Sequence, residues 1–287
     1  MAQVQPATTR FIPIAIGLLV IMALLAGCAS KNSRYSRKHD GPPTREVEVA
    51  HIPDATPRAE PRSRYGNNPT YKVNGKRYHV MKSSRGYRER GVASWYGAKF
   101  HGHRTSSGDP YNMYAMTAAH KSLPLPTYVQ VTNLANGSTV IVRVNDRGPF
   151  HKDRIIDLSY AAAKKLGITA GGTGVVEVRA IDPDAHPHDS APVRQAEQGT
   201  PLTPQDAPAS RFSLYLQVGA FASRQNAEKL HDTLVFLHES VLIDAAPHND
   251  DTIYRVRIGP LSSVEEADRL AARIAELGMA APHIVVN

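Results

Sequence analysis

The chain has 287 residues, with 34 lysines and arginines against 26 aspartates and glutamates, a formal net charge of +8, and a single cysteine. That length suits two modest domains rather than one large core. A lone cysteine excludes an internal disulfide framework and a thiolate zinc site, and the positive balance favours an anionic polymer or lipid head groups as a partner.

Phe11 to Leu25 is a fifteen-residue apolar stretch, too short to span a bilayer comfortably as a permanent helix and suited to the core of a secretory signal. It is closed by Leu25-Ala26-Gly27-Cys28, which resembles a bacterial lipobox. The resemblance implies removal of residues 1–27 and lipidation of Cys28. With Ala29 rather than Asp following, it also implies an anchor in the inner leaflet of the outer membrane, facing the periplasm. Export removes nucleic acid as a partner and makes cell-wall polymer the anionic candidate. Residues 28–69 are polar, basic and rich in proline, and are read as a disordered tether. Residues 183–210, with prolines at 183, 187, 192, 201, 204 and 208, are read as a linker. Two foldable segments remain, 70–182 and 211–287.

In the first segment, Gly91 to Gly97, Val129 to Asn133, Val140 to Val144 and Val175 to Ile181 alternate as strands, and Asn136-Gly137 is a hairpin signal. Ser159 to Leu166 is predicted as a short helix capped by Ser159 and stopped by Gly167. Short strands with brief helices predict a compact β-barrel.

The residues Ala93-Ser94-Trp95-Tyr96-Gly97, Phe100-His101-Gly102, Thr105-Ser106-Ser107-Gly108, Met116-Thr117-Ala118-Ala119-His120, Asn145-Asp146-Arg147-Gly148-Pro149-Phe150 and Ile155-Ile156-Asp157-Leu158-Ser159 resemble the double-psi β-barrel of the rare lipoprotein A family of septal lytic transglycosylases. With the lipobox and the C-terminal segment, the resemblance spans nearly the whole mature chain. It implies catalytic roles for Asp146, Asp109 and His120. Family members usually carry Glu where Asp109 stands, so the carboxyl reach is one methylene shorter, about 1.5 Å. By residue type alone each position has a second use. Asp146 and Asp109 both suit turns, and His120 suits the end of a short helix as a cap. Asp157 is read as structural, a cap or a bridge to Arg154. Trp95 and Tyr96 lie on opposite strand faces, one in the core and the other a candidate sugar platform. His101 and His103 lack a third ligand at metal spacing, so neither a metal nor any cofactor is expected.

The C-terminal segment repeats at an offset of forty residues: Val218-Gly219-Ala220-Phe221 aligns with Ile258-Gly259-Pro260-Leu261, and Ala227, Leu230 and Leu234 align with Ala267, Leu270 and Ile274. Each copy is a strand, a Gly turn and an amphipathic helix with a Ser cap at 223 or 263. Ser240 to Ile243 and His283 to Val286 add strands, predicting a small βαββαβ, ferredoxin/RNP-like unit with one open sheet face. Tyr215-Leu216-Gln217-Val218-Gly219-Ala220-Phe221 and Tyr254-Arg255-Val256-Arg257-Ile258-Gly259-Pro260 resemble the SPOR domain, which implies binding of glycan strands through Tyr215, Gln217, Tyr254 and Arg255. The fold class expected is therefore mainly β plus α+β.

A lytic transglycosylase protonates the leaving glycosidic oxygen while charge develops on the ring carbon. The C6 hydroxyl of the muramic sugar then closes onto that carbon, so one carboxyl can act as acid and then base. Asp146, behind the strand Val140 to Val144, is the residue expected to do this; staying protonated near neutral pH requires burial or a neighbouring carboxylate, for which Asp109 is the candidate. The expectation is cleavage of the MurNAc–GlcNAc bond of peptide-free strands at the division septum, leaving 1,6-anhydroMurNAc ends, with divisome proteins as candidate partners. The alternative is a non-catalytic, expansin-like peptidoglycan-binding lipoprotein.

Overall fold

The structure, a computed structural model, describes residues 37, 39–183, 212–237, 239–248 and 251–287. The apolar stretch, Cys28 and all but the first residue of the 183–210 linker lie outside the described residues.

The first described elements are the strands β1 (Thr70–Val73) and β2 (Lys76–His79), a hairpin that pairs Tyr71 with Tyr78. Asn74 and Gly75 both adopt positive φ, 48° and 76°, the geometry of a two-residue turn whose twist matches its strands. Six further strands close a barrel: β3 (Arg88–Tyr96), β4 (Thr117–His120), β5 (Thr127–Asn133), β6 (Thr139–Asp146), β7 (Arg154–Ser159) and β8 (Thr173–Ala180), in the order β3-β7-β4-β6-β5-β8. Val129, Val131, Val140, Val142, Val144, Ile156, Leu158, Val176 and Val178 fill its core, as strand alternation dictates. The helix α1 (Tyr160–Leu166) starts where the Ser159 hydroxyl accepts from the Ala162 N–H and stops at Gly167 in the left-handed region.

Two local expectations differ from the structure. His120 lies in the strand β4, held between β6 and β7, and not at a helix end. Residues 39–69, expected within a disordered tether, lie against the barrel. Val49 is buried, Asp40 accepts from the N–H groups of Gly97 (2.9 Å) and Lys99 (3.0 Å), Asp54 accepts from the Ile141 N–H (2.9 Å), and Glu60 pairs with Arg143 (2.9 Å). Carboxylates and one valine do this docking, and polar, proline-rich composition conceals it.

The C-terminal unit comprises β9 (Leu214–Phe221), α2 (Arg224–Leu234), a 3-10 turn (Val235–Leu237), β10 (Val241–His248), β11 (Asp251–Leu261), α3 (Val264–Glu276) and β12 (His283–Val286), with the antiparallel order β10-β11-β9-β12. Leu214, Leu216, Val256 and Ile258 meet Ala227, Leu234, Ala267, Leu270 and Ile274 of the helices in one core. The Ser263 hydroxyl caps α3 by accepting from the Glu266 N–H, whereas Ser223 makes no such bond.

Candidate active site

Parallel pairing sets Asp146 of β6 opposite Ala119 of β4, and antiparallel pairing sets Asp157 of β7 opposite the same alanine from the other side. The two carboxylate-bearing residues are therefore separated by two strand spacings, about 10 Å at the backbone. A bulge between Ala118 and Ala119 adjusts the first register. Small residues floor the space between them: a Cβ placed on Gly148 would lie 3.7 Å from the Ala119 methyl and 4.0 Å from Asp157 Oδ2. Gly148 has φ +144°, open to glycine and strained for other residues.

The two carboxyls differ in environment. Asp146 Oδ1 accepts from the Ser106 N–H (2.7 Å), the Ser106 hydroxyl (2.6 Å) and the Arg147 N–H (2.7 Å). Asp157 Oδ1 is buried without a hydrogen-bond partner. Burial pushes the Asp157 carboxyl up to about 6; Arg154, Lys121 and His151 oppose the rise and Asp40 adds to it. Arg154 gives an N–H to the Ser94 hydroxyl at 2.9 Å, and Ser159 caps the helix, so neither structural role expected of Asp157 is the one built here. Of the two, Asp157 has the dry surroundings that a proton donor working near neutral pH requires.

Asp109 and Asp146 are held by separate sets of donors. Asp109 Oδ2 accepts from Arg143 (2.9 Å), the Ser107 hydroxyl (2.9 Å) and the Asn145 amide (3.4 Å), and it shares no hydrogen-bond donor with Asp146. Burial disfavours its charge, but those donors outweigh burial and hold the carboxyl below the usual range. Arg143 also grips Glu60, so Asp109 ends a Glu60–Arg143–Asp109 row.

His120 is buried, and its Nδ1 accepts from the N–H groups of Ser122 (3.2 Å) and Leu123 (3.0 Å). That fixes the proton on Nε2, which donates to the Tyr87 hydroxyl at 2.8 Å; Tyr87 in turn donates to Glu89 at 2.5 Å. Burial, followed by the charges of Arg147 and Lys121, pushes the imidazole down to about 3. His120 thus bonds neither Asp146 nor Asp109, and it acts as a neutral brace for the loop leaving β4. The adjacent Arg147 is also buried, and its guanidinium is spent on the carbonyls of Gly66 (2.7 and 2.9 Å), His120 (3.2 Å) and Leu123 (2.5 Å).

Tyr96 is buried and stacked on Tyr111, ring centroids 4.1 Å apart, so it presents no face to a sugar; Trp95 is half-buried, edge-on to Tyr160 at 5.6 Å. Burial raises the Tyr96 phenol well above its ordinary value, and the charges of Tyr111, Asp146 and Asp157 add to the effect. His101 Nδ1 accepts from the Met113 N–H at 3.2 Å. On the C-terminal sheet, Gln217 lies between Arg257 and His283, and Tyr215 lies opposite Val285, on the face away from the helices. Arg255 shares that face with Arg257, which pairs with Asp244 at 3.3 Å. Tyr254 differs from expectation: alternation places it with Val256 and Ile258, and its ring packs on the core.

Residues 88–180 match the family model described as lytic transglycolase, a double-psi β-barrel, and residues 210–286 match the SPOR domain model. An endolytic peptidoglycan transglycosylase RlpA of Pseudomonas aeruginosa is 41% identical, over 94% of this chain and 96% of its own length. The protein of that description from Vibrio cholerae is 40% identical over 91% and 92%. The solved SPOR domain of the Pseudomonas aeruginosa RlpA is 37% identical and aligns with 25% of this chain and 96% of its own, with a TM-score of 0.24.

Proposed function

The chain belongs to the RlpA family of endolytic peptidoglycan transglycosylases, and from that premise we propose that it cleaves the MurNAc–GlcNAc bond of glycan strands stripped of stem peptides and leaves 1,6-anhydroMurNAc ends. The observation that carries this reading is the unlike pair around Ala119: one carboxyl oxygen of Asp146 held by three donors, and one of Asp157 held by none. Asp157 gives its proton to the leaving glycosidic oxygen, then takes the proton of the muramic C6 hydroxyl as that oxygen closes onto the anomeric carbon. Asp146 supplies a fixed negative charge beside the developing oxocarbenium ion. Asp109 and His120 position: the first steadies the Ser106-Ser107 turn that binds Asp146, and the second braces the end of β4.

The family and the SPOR domain support peptidoglycan as the binding partner, with Tyr215, Gln217 and Arg255 on the face that meets the glycan. The run ending at Cys28 supports a lipid anchor in the outer membrane, and the SPOR domain supports enrichment at the septum. Among the described residues no helix is long and apolar enough to cross a membrane.

The test is mass spectrometry of amidase-treated glycan strands incubated with wild type, Asp157→Asn and Asp146→Ala. New 1,6-anhydro ends from wild type alone support the assignment; intact strands that still bind would leave the barrel a binding module. Deleting Phe212 to Asn287 is expected to abolish septal enrichment and spare turnover of soluble strands. Septal enrichment that survives the deletion overturns the guiding role.

A further inference from the structure

The β1–β2 hairpin belongs to neither hydrophobic core. Its two tyrosines are absent from both clusters of packed apolar residues, as is Phe150. They instead form an aromatic ridge of their own: Tyr71 and Tyr78 stack at 5.2 Å with an 18° interplanar angle, and Phe150 stands edge-on to both, at 6.3 and 5.5 Å. Phe150 is 38% exposed, and both tyrosines are half-buried. A two-stranded hairpin is marginal by itself, and this one is fastened to the loop after β4 by the Tyr71 hydroxyl on the Lys121 carbonyl and the Met81 N–H on the Ser122 carbonyl, each 2.7 Å. A hairpin so anchored, with aromatic rings left outside the cores, marks a contact surface.

Continuity and charge identify the occupant. Phe150 lies in the loop that leads from Asp146 to β7, and the Arg147 guanidinium of that loop lies 5.8 Å from the Tyr71 ring centre, so the ridge adjoins the loop that carries Asp146. Burial raises the Tyr71 phenol to about 12; the Arg147 charge opposes the rise, and Tyr78 and Asp146 add to it. Residues 70–79 contain Lys72, Lys76 and Arg77 and no carboxylate, and the Lys76 ammonium sits 5.7 Å over the Tyr78 ring. A muramic residue freed of its stem peptide carries a bare lactyl carboxylate; with the peptide attached, that group is an uncharged amide.

We propose that Tyr78 and Phe150, backed by Tyr71, form a glycan subsite of the barrel against which sugar rings pack, with Lys76 pairing to the lactyl carboxylate of a peptide-free muramic residue. The proposal rests on the functional reading above and gives it a physical basis for preferring stripped strands within the barrel itself.

The test uses the full chain and strands of two kinds, amidase-treated and the same strands with their lactyl carboxylates converted to amides. Tyr78→Ala and Phe150→Ala are expected to raise KM for the first kind about tenfold or more, the loss typical of an aromatic anchor, with kcat held within about twofold. Lys76→Gln is expected to raise KM about two- to fivefold and to erase the difference between the two kinds of strand. Aromatic variants with wild-type KM, or Lys76→Gln with wild-type discrimination, overturn the proposal. Phe150→benzoylphenylalanine reads occupancy without turnover: photocross-linking to the strands supports the subsite, and its absence overturns it. A wild-type chain that releases no anhydro ends sinks the functional reading alone, and the cross-link still decides the subsite.

Discussion

Asp146 and Ser106 meet at two points, the aspartate Oδ1 accepting from both the N–H (2.7 Å) and the hydroxyl (2.6 Å) of the serine. The hydroxyl can be removed while the backbone contact stays. Ser106→Ala is therefore expected to lower kcat about 10- to 100-fold, the worth of one hydrogen bond to a charged group, with little change in KM. Release of anhydro ends measures it, and Ser106→Thr should recover most of the loss. A Ser106→Ala enzyme with wild-type turnover would show that the two N–H donors alone hold Asp146 and that the Ser106 hydroxyl has no part in the chemistry.

The Asp157 carboxyl, raised by burial to about 6, makes two linked predictions. As the proton donor, it gives kcat an alkaline limb with a midpoint near 6, and Asp157→Asn abolishes turnover. Its folded-state value lies above the ordinary 3.8, so ionising it opposes folding: the penalty is absent below about pH 4 and complete above about pH 6. Asp157→Asn should therefore match wild type in stability at pH 4 and exceed it at pH 7.5, by at most about 3 kcal/mol. Urea unfolding at the two pH values checks the sign, and a variant less stable at pH 7.5 would show that the carboxylate is satisfied.

These environments explain what was legible in the residues and what was not. Alternation announced β5 and β6, the forty-residue offset announced the C-terminal unit, and Ser159 and Gly167 delimit α1, because those signals are local. The four residues Thr117–His120 carry two alanines, which favour a helix by propensity, and are extended because β6 and β7 hydrogen-bond them on both sides. Asp157 read as structural because its desolvation comes from strands distant in sequence. The β1–β2 hairpin was legible in Asn74-Gly75 between Tyr71 and Tyr78, a strong turn signal that the basic surroundings obscured.

Glu60 tests whether residues 39–69 are part of the folded barrel. The hydrogen bonds of Arg143 hold its carboxyl down at about 2; burial opposes this, and the Tyr128 hydroxyl and Arg58 reinforce it. The folded-state value is below that of a free carboxylate, so the stabilisation is present above about pH 4.5 and is lost as pH falls toward 2. Glu60→Gln should cost about 2 kcal/mol at pH 7 and about 0.5 kcal/mol at pH 2.5. Equal stability at both pH values would return this segment to the role of a loose tether.

Arg147 ties three parts of the barrel together, and its planar fork is what makes that possible. One guanidinium donates to Gly66, His120 and Leu123 while the residue's own N–H binds Asp146. Lysine has one nitrogen and cannot reach the three carbonyls in one geometry. Arg147→Lys is expected to leave buried carbonyls unsatisfied and to destabilise the chain by about 2–4 kcal/mol. It should also lower kcat more than it changes KM, because the loop that holds Asp146 loses its anchor while the aromatic ridge keeps its exposed face. Calorimetry at pH 7 with steady-state kinetics on stripped strands separates the two effects. Lost stability with unchanged kcat would confine Arg147 to the fold and leave the placement of Asp146 to Ser106 alone.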